Sequence, residues 1–149
     1  MPAFITFGRV LFAVLFIFSG ASKLLDLAAT TQMISDKVVI PGMLTAYTTQ
    51  LEGMTGMSTA QMLAIAAAAI ELISGLAIAL NFGARFFAIV LILFVIAATF
   101  YSHDFWNQTG AEQKNNMMHA LKNLSLVGAL FIIAGIGRGP RNEPTYTDV

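Results

Sequence analysis

A single glutamate, Glu71, interrupts an apolar run that extends from Met62 to Leu80 (MLAIAAAAIELISGLAIAL). About 20 residues at ~1.5 Å each cross the ~30 Å hydrocarbon layer of a bilayer, so the run reads as a membrane-spanning helix. Counted back from Asn81, the carboxylate lies roughly 15 Å deep, near the midplane. An ionised acid there costs at least ~2.5–3.5 kcal/mol and therefore needs a partner or a proton. The chain has to fold around a polar centre inside a membrane.

Composition agrees. Apolar residues make up 57% of the 149 and charged residues 11%, against about 25% charged in soluble domains. Eight basic and eight acidic side chains cancel, which leaves no electrostatic argument for nucleic acid. The partners expected are the lipid bilayer and other membrane protein subunits. Cysteine is absent, so disulfides, thiolate-held iron–sulfur clusters and CxxC chemistry are excluded. Redox work would need a quinone, a haem, a metal on other ligands, or a partner protein.

Four hydrophobic stretches predict four spans, at about 4–25, 59–80, 85–101 and 117–136. The first has no basic residue before Arg9, and GAS at 20–22 only loosely resembles a cleavage site. It is read as a helix that stays, rather than a signal peptide. Asn81, Phe82 and Gly83 form a tight reversal, so the second and third spans are antiparallel neighbours. The expected fold is all-α: an integral membrane four-helix bundle in one domain over 1–140, with a disordered tail at 141–149. Between spans one and two, residues 26–58 are too long for a turn. Short interfacial helices fit there, near Leu27–Ser35 and Pro41–Leu51.

Arg9, Arg85, Arg138 and Arg141 fall on one side, free of nearby acids. The other side mixes lysines with carboxylates and carries the long polar loops. The positive-inside rule then puts both termini in the cytoplasm. No inverted repeat is visible, so a transporter built on Glu71 ranks last among the functions considered.

Two polar groups stand out. In the first, Arg9 and Lys23 are 14 residues apart, within about 40° on one helical face that also holds Phe16 and Gly20. Arg9 is the first candidate for the ion partner of Glu71, and Lys122 the second. Three readings of Glu71 stay open: a structural ion pair, a proton-relay acid, and a neutral hydrogen-bonded acid. Gly75 is expected to let a neighbouring helix come close.

The second group lies at the facing ends of spans three and four. His103, Phe105 and Trp106 follow one; His119, Lys122 and Asn123 open the other, at spacings that put them on one face. Histidine and lysine donors with aromatic walls suit a quinone ring. A bis-histidine haem b ranks behind it. Copper ranks there too, with Met54, Met57, Met117 and Met118 as soft ligands on the histidine side. Interfacial anchoring by Trp106 and Tyr101 is the bland alternative.

These residues resemble the DoxX family of small four-helix membrane proteins. The resemblance is carried by GRVLFAVLFIFSGASKL at 8–24, AIELISGLAIALNFGARFFAIVL at 69–91, HDFW at 103–106 and MMHALKNLSLVGALFIIAG at 117–135. The family's arginine and GxxK map onto Arg9, Gly20 and Lys23, its acid and following glycine onto Glu71 and Gly75. Its later positions map onto Arg85, His103, Lys122 and Asn123. The resemblance implies a bacterial inner-membrane protein associated with membrane redox systems, including quinone-linked sulfur oxidation in the related DoxD branch. Because no complete catalytic set is visible, the expected function is a redox- or quinone-associated subunit that works with a partner. The alternative is a structural accessory packed against a larger respiratory or photosynthetic complex.

Overall fold

The computed structural model describes residues 2–136, and every described element is helical. Helix α1 spans Pro2–Leu25, α2 Leu27–Lys37, α3 Thr45–Thr55, α4 Thr59–Ala79, α5 Ala84–Ser102 and α6 Gly110–Ile136; 3₁₀ turns cover Gly42–Leu44 and Phe105–Asn107. Four of them, α1, α4, α5 and α6, are long and apolar enough to cross a membrane. The expected domain boundary at 140 and the tail beyond it lie outside the described residues.

Local chemistry sets the ends. Asp26 caps α2 by accepting from the Ala29 N–H at 3.1 Å, and Ser58 caps α4 by accepting from Gln61 N–H at 3.2 Å. Helix α4 closes with Asn81 in the left-handed region (φ 58°). There the Phe82 N–H bonds Ala77 O at 2.8 Å and the Asn81 N–H bonds Ile78 O at 3.1 Å, which satisfies the last carbonyls. Gly83 (φ 55°) then turns the chain back into α5. Helix α6 begins seven residues before the expected start at 117. Ala111, Glu112, Gln113 and Lys114 are good helix formers, and hydropathy alone does not register them.

The spans pack in sequence: α1 along α4, α4 against α5, and α5 against α6, while α2 lies on α4. Helix α4 is the most enclosed span, with 39% of its apolar window buried, and α6 the least, with 11%. The core joins Ala13 and Phe16 of α1, Ile78 of α4, Ala88, Leu91, Ile92 and Val95 of α5, and Val127 and Leu130 of α6. Phe4, Phe7, Phe18, Phe86, Leu93 and Phe131 face outward. In water so much apolar surface would drive association, whereas in lipid it faces a matching solvent.

Gly75 of α4 lies against Ile17 of α1, and Gly20 of α1 against Ala68 and Leu72 of α4, so the two helices are antiparallel. Arg9, Arg85 and the Asn81 turn therefore share one end of the bundle. Lys23, His103 and His119 share the other.

Candidate functional site

The polar centre is built by two glycines. A Cβ on Gly20 would sit 2.7 Å from Ala68 O and Leu72 N; one on Gly75 would sit 2.9 Å from Ile17 Cγ1 and 3.1 Å from Ile17 N. Without side chains at these points, α1 and α4 touch nearly backbone to backbone. That closeness brings Ser19 and Lys23 onto Glu71. Lys23 Nζ donates to Glu71 Oε2 at 2.5 Å and to Ser19 Oγ at 2.6 Å. The Ser19 hydroxyl in turn donates to the Glu71 carboxylate, at 3.1 and 3.2 Å from its two oxygens. Glu71 is 6% exposed.

This corrects the expected partner. Arg9 does share a helical face with Lys23, but it lies ten residues from Ser19, about 15 Å along the axis, out of reach of Glu71. Lys122, the second candidate, is exposed on α6. Among the described residues the one salt bridge joins Lys23 and Glu71. Ser19 was not singled out from the sequence; its position one turn before Lys23 was the available signal. The triad holds a buried carboxylate between two donors and contains no activated nucleophile.

At the opposite junction, His103 ends α5 with its N–H on Thr99 O at 3.0 Å. Its ring starts a chain of side chains. Nδ1 meets Asn116 Oδ1 at 2.9 Å, Asn116 Nδ2 donates to Gln108 Oε1 at 2.6 Å, and Gln108 Nε2 donates to Asp104 Oδ1 at 3.0 Å. An ionised carboxylate only accepts, so it orients both amides and requires the proton on His103 Nδ1. In the neutral ring Nε2 is then the acceptor. His119 stacks on this ring, with centroids 4.9 Å apart and planes 7° apart. A bis-histidine haem needs the two rings on opposite sides of one iron, so face-to-face stacking rules against that reading.

The aromatic walls gather elsewhere. Phe105 and Trp106, with ring centroids 5.1 Å apart, join Phe100, whose centroid is 5.4 Å from that of Trp106. With Ile96, Thr99, Met117, Leu121, Asn123 and Leu124 they line a cavity of about 420 Å³ between α5 and α6. Asn123 Nδ2 donates to Thr99 Oγ1 at 2.9 Å, and the Thr99 hydroxyl donates to Val95 O at 2.6 Å. One N–H of the Asn123 amide remains available. The expected histidine and lysine donors do not line this cavity, and Lys122 and His119 are exposed. His119, Lys122 and Asn123 thus do not converge: one stacks on His103, one faces outward and one turns to α5. Helical spacing allowed all three on one face, but the face is too wide for a single partner. The copper reading gains no ligand set, because Met117 lines the apolar cavity and Met54 is exposed on α3.

Comparison with known proteins places this geometry in context. The family model for DoxX matches residues 4–104. The inner membrane protein YphA of Escherichia coli (strain K12) is 24% identical over 138 residues, covering 93% of this chain and 86% of the relative. That alignment extends into α6, beyond the end of the family match. No solved structure matches the chain.

Proposed function

We propose that this chain, which belongs to the DoxX family, is a multi-pass bacterial inner-membrane subunit. In this reading it binds a quinone ring between α5 and α6 and works with a partner in a membrane redox system. YphA, its relative, is an inner membrane protein, and the arginine end is assigned to the cytoplasm by the positive-inside rule.

The observation that carries the reading is the cavity walled by Phe100, Phe105 and Trp106, with Asn123 and Thr99 as its polar lining and a spare donor on Asn123. A quinone has the complementary form: a flat ring for aromatic walls, a carbonyl for the spare Asn123 N–H, and an apolar chain that leaves between the helices into lipid. His103 and its amide chain lie beside this cavity on the same junction and hold the 3₁₀ turn that carries Phe105 and Trp106.

Trp106 is the chain's one tryptophan, so its fluorescence reports on the cavity directly. Titration with a short-chain benzoquinone in detergent is expected to give saturable quenching, weakened about tenfold by Asn123→Leu, which removes a buried hydrogen bond. Non-saturating, collisional quenching that is unchanged in the variant counts against the site.

A second reading is favoured by α6. It is the least enclosed span, and its exposed Lys122 has no salt bridge among the described residues. An accessory subunit that offers this face to a larger complex needs no chemistry of its own. Migration of the protein alone after gentle solubilisation of native membranes would remove that reading.

A further inference from the structure

The arginine end holds a second cavity that the quinone reading does not use. Gly8, Arg9 and Phe12 of α1 face Ala129, Ile132 and Ile133 of α6 across about 260 Å³. The lining is hydrocarbon apart from Arg9. Its Nε is buried and has no hydrogen-bond partner among the described residues. A buried donor left unpaired costs its desolvation, and a guanidinium costs more. No described carboxylate bridges to it. The other orphaned buried polar atom, Asn81 Oδ1, is an acceptor in the α4–α5 turn at the same end.

Depth selects the ligand. Ser19 lies level with Glu71, and Arg9 is ten residues nearer the membrane surface, about 15 Å along α1. That is half of the ~30 Å hydrocarbon layer, so Arg9 stands at its boundary, from which a long side chain reaches out to the phosphate level. The groove runs inward from there, from Arg9 to Phe12 on α1 and from Ile133 to Ala129 on α6. A Cβ on Gly8 would meet nothing within 4 Å, so the space beside α1 is open.

We propose that the groove between α1 and α6 is a site for one anionic phospholipid of the phosphatidylglycerol type. Its phosphate accepts from Arg9 and one acyl chain lies along Gly8, Phe12, Ala129 and Ile132. A neutral apolar occupant would fill the groove and leave Arg9 Nε unpaired. The anionic lipid satisfies both.

Native mass spectrometry of the delipidated full chain, titrated with phosphatidylglycerol or with phosphatidylcholine of the same acyl chains, tests the site. One phosphatidylglycerol per chain is expected to bind at least about tenfold more tightly than phosphatidylcholine, whose phosphate can also accept from Arg9 but whose choline cation cancels its charge. Arg9→Gln should abolish that preference, and Lys122→Gln, at the other end, should preserve it. Gly8→Leu keeps every charge and projects into open space, and is expected to weaken both lipids. The proposal fails if the preference survives Arg9→Gln, or if Gly8→Leu binds like the parent. It fails equally if Arg9 retains a second polypeptide in place of lipid.

Discussion

Lys23 and Glu71 meet across the α1–α4 contact, Nζ to Oε2 at 2.5 Å, with Ser19 bonded to both. Two glycines permit this, and a bilayer makes it consequential. The side chain of Lys23 is 22% exposed and that of Glu71 8%, so the carboxylate depends on the lysine more than the reverse. Lys23→Met strands a buried charge and is expected to lower stability by about 3–5 kcal/mol, read as a fall in thermal midpoint in detergent. Glu71→Gln keeps the Ser19 hydrogen bond and should lose less. The double variant Lys23→Met/Glu71→Leu should recover much of the loss. Equal losses in all three would mean that the pair does not act as a unit.

The glycines can be separated by position. Gly20→Ala drives a methyl to within 2.7 Å of backbone on α4, so α1 must move away; about 1–3 kcal/mol of destabilisation is expected, with weakened Lys23–Glu71 pairing. Gly128→Ala meets nothing within 4 Å and should be neutral or stabilising by roughly 0.5–1 kcal/mol, as for any interior helical glycine. Thermal unfolding of the two variants side by side distinguishes close packing from a general intolerance of substitution.

Glu52 ties α3 to the start of α4. Its Oε1 accepts from both the hydroxyl and the N–H of Thr59, each at 2.6 Å. These bonds, the hydroxyl's first, hold the carboxyl below its ordinary value of 4.5. A depressed folded-state pKa contributes stability that is present above 4.5 and lost as pH falls through the folded value. Amide protection factors at Gly53–Thr59, taken relative to the intrinsic exchange rate at each pH, should therefore fall on acidification through that window, and Glu52→Gln should remove most of that change.

The amide chain from Asp104 makes a tautomeric prediction. With Asp104 ionised, Gln108 and Asn116 are oriented so that His103 carries its proton on Nδ1. At a pH where the ring is neutral, nitrogen-15 spectra of labelled histidine should show one ring fixed as the Nδ1–H form. Asp104→Leu removes the anchor, and the His103 signals should move toward a tautomeric average. An unchanged ring in that variant would show that the orientation comes from the His119 stack instead.

Much of the architecture was readable from residues alone, because hydropathy and turn chemistry act locally. The run ending at Leu80 and the Asn-Phe-Gly reversal located α4 and α5 to within a residue or two. The polar first turns of α6 escaped, since helix propensity rather than hydropathy carries them. At the polar centre the sequence exposed the acid but misassigned its partner. Arg9 and Lys23 share a face, and only the register between α1 and α4 decides between them; Gly20 and Gly75 set that register through contacts far apart in sequence. At the other junction, Phe105 and Trp106 were legible as ring walls. Asn123 could not be told from His119 and Lys122, because spacings of three and four residues leave a face wide enough to point in three directions.

The α5–α6 cavity is the centre of the functional account, and counting what it holds tests it most directly. Native mass spectrometry of the chain released gently from its own membranes should show an increment matching one quinone, reduced in Asn123→Leu and in Phe105→Ala. A chain that carries no quinone, or carries as much in both variants as in the parent, would contradict the account.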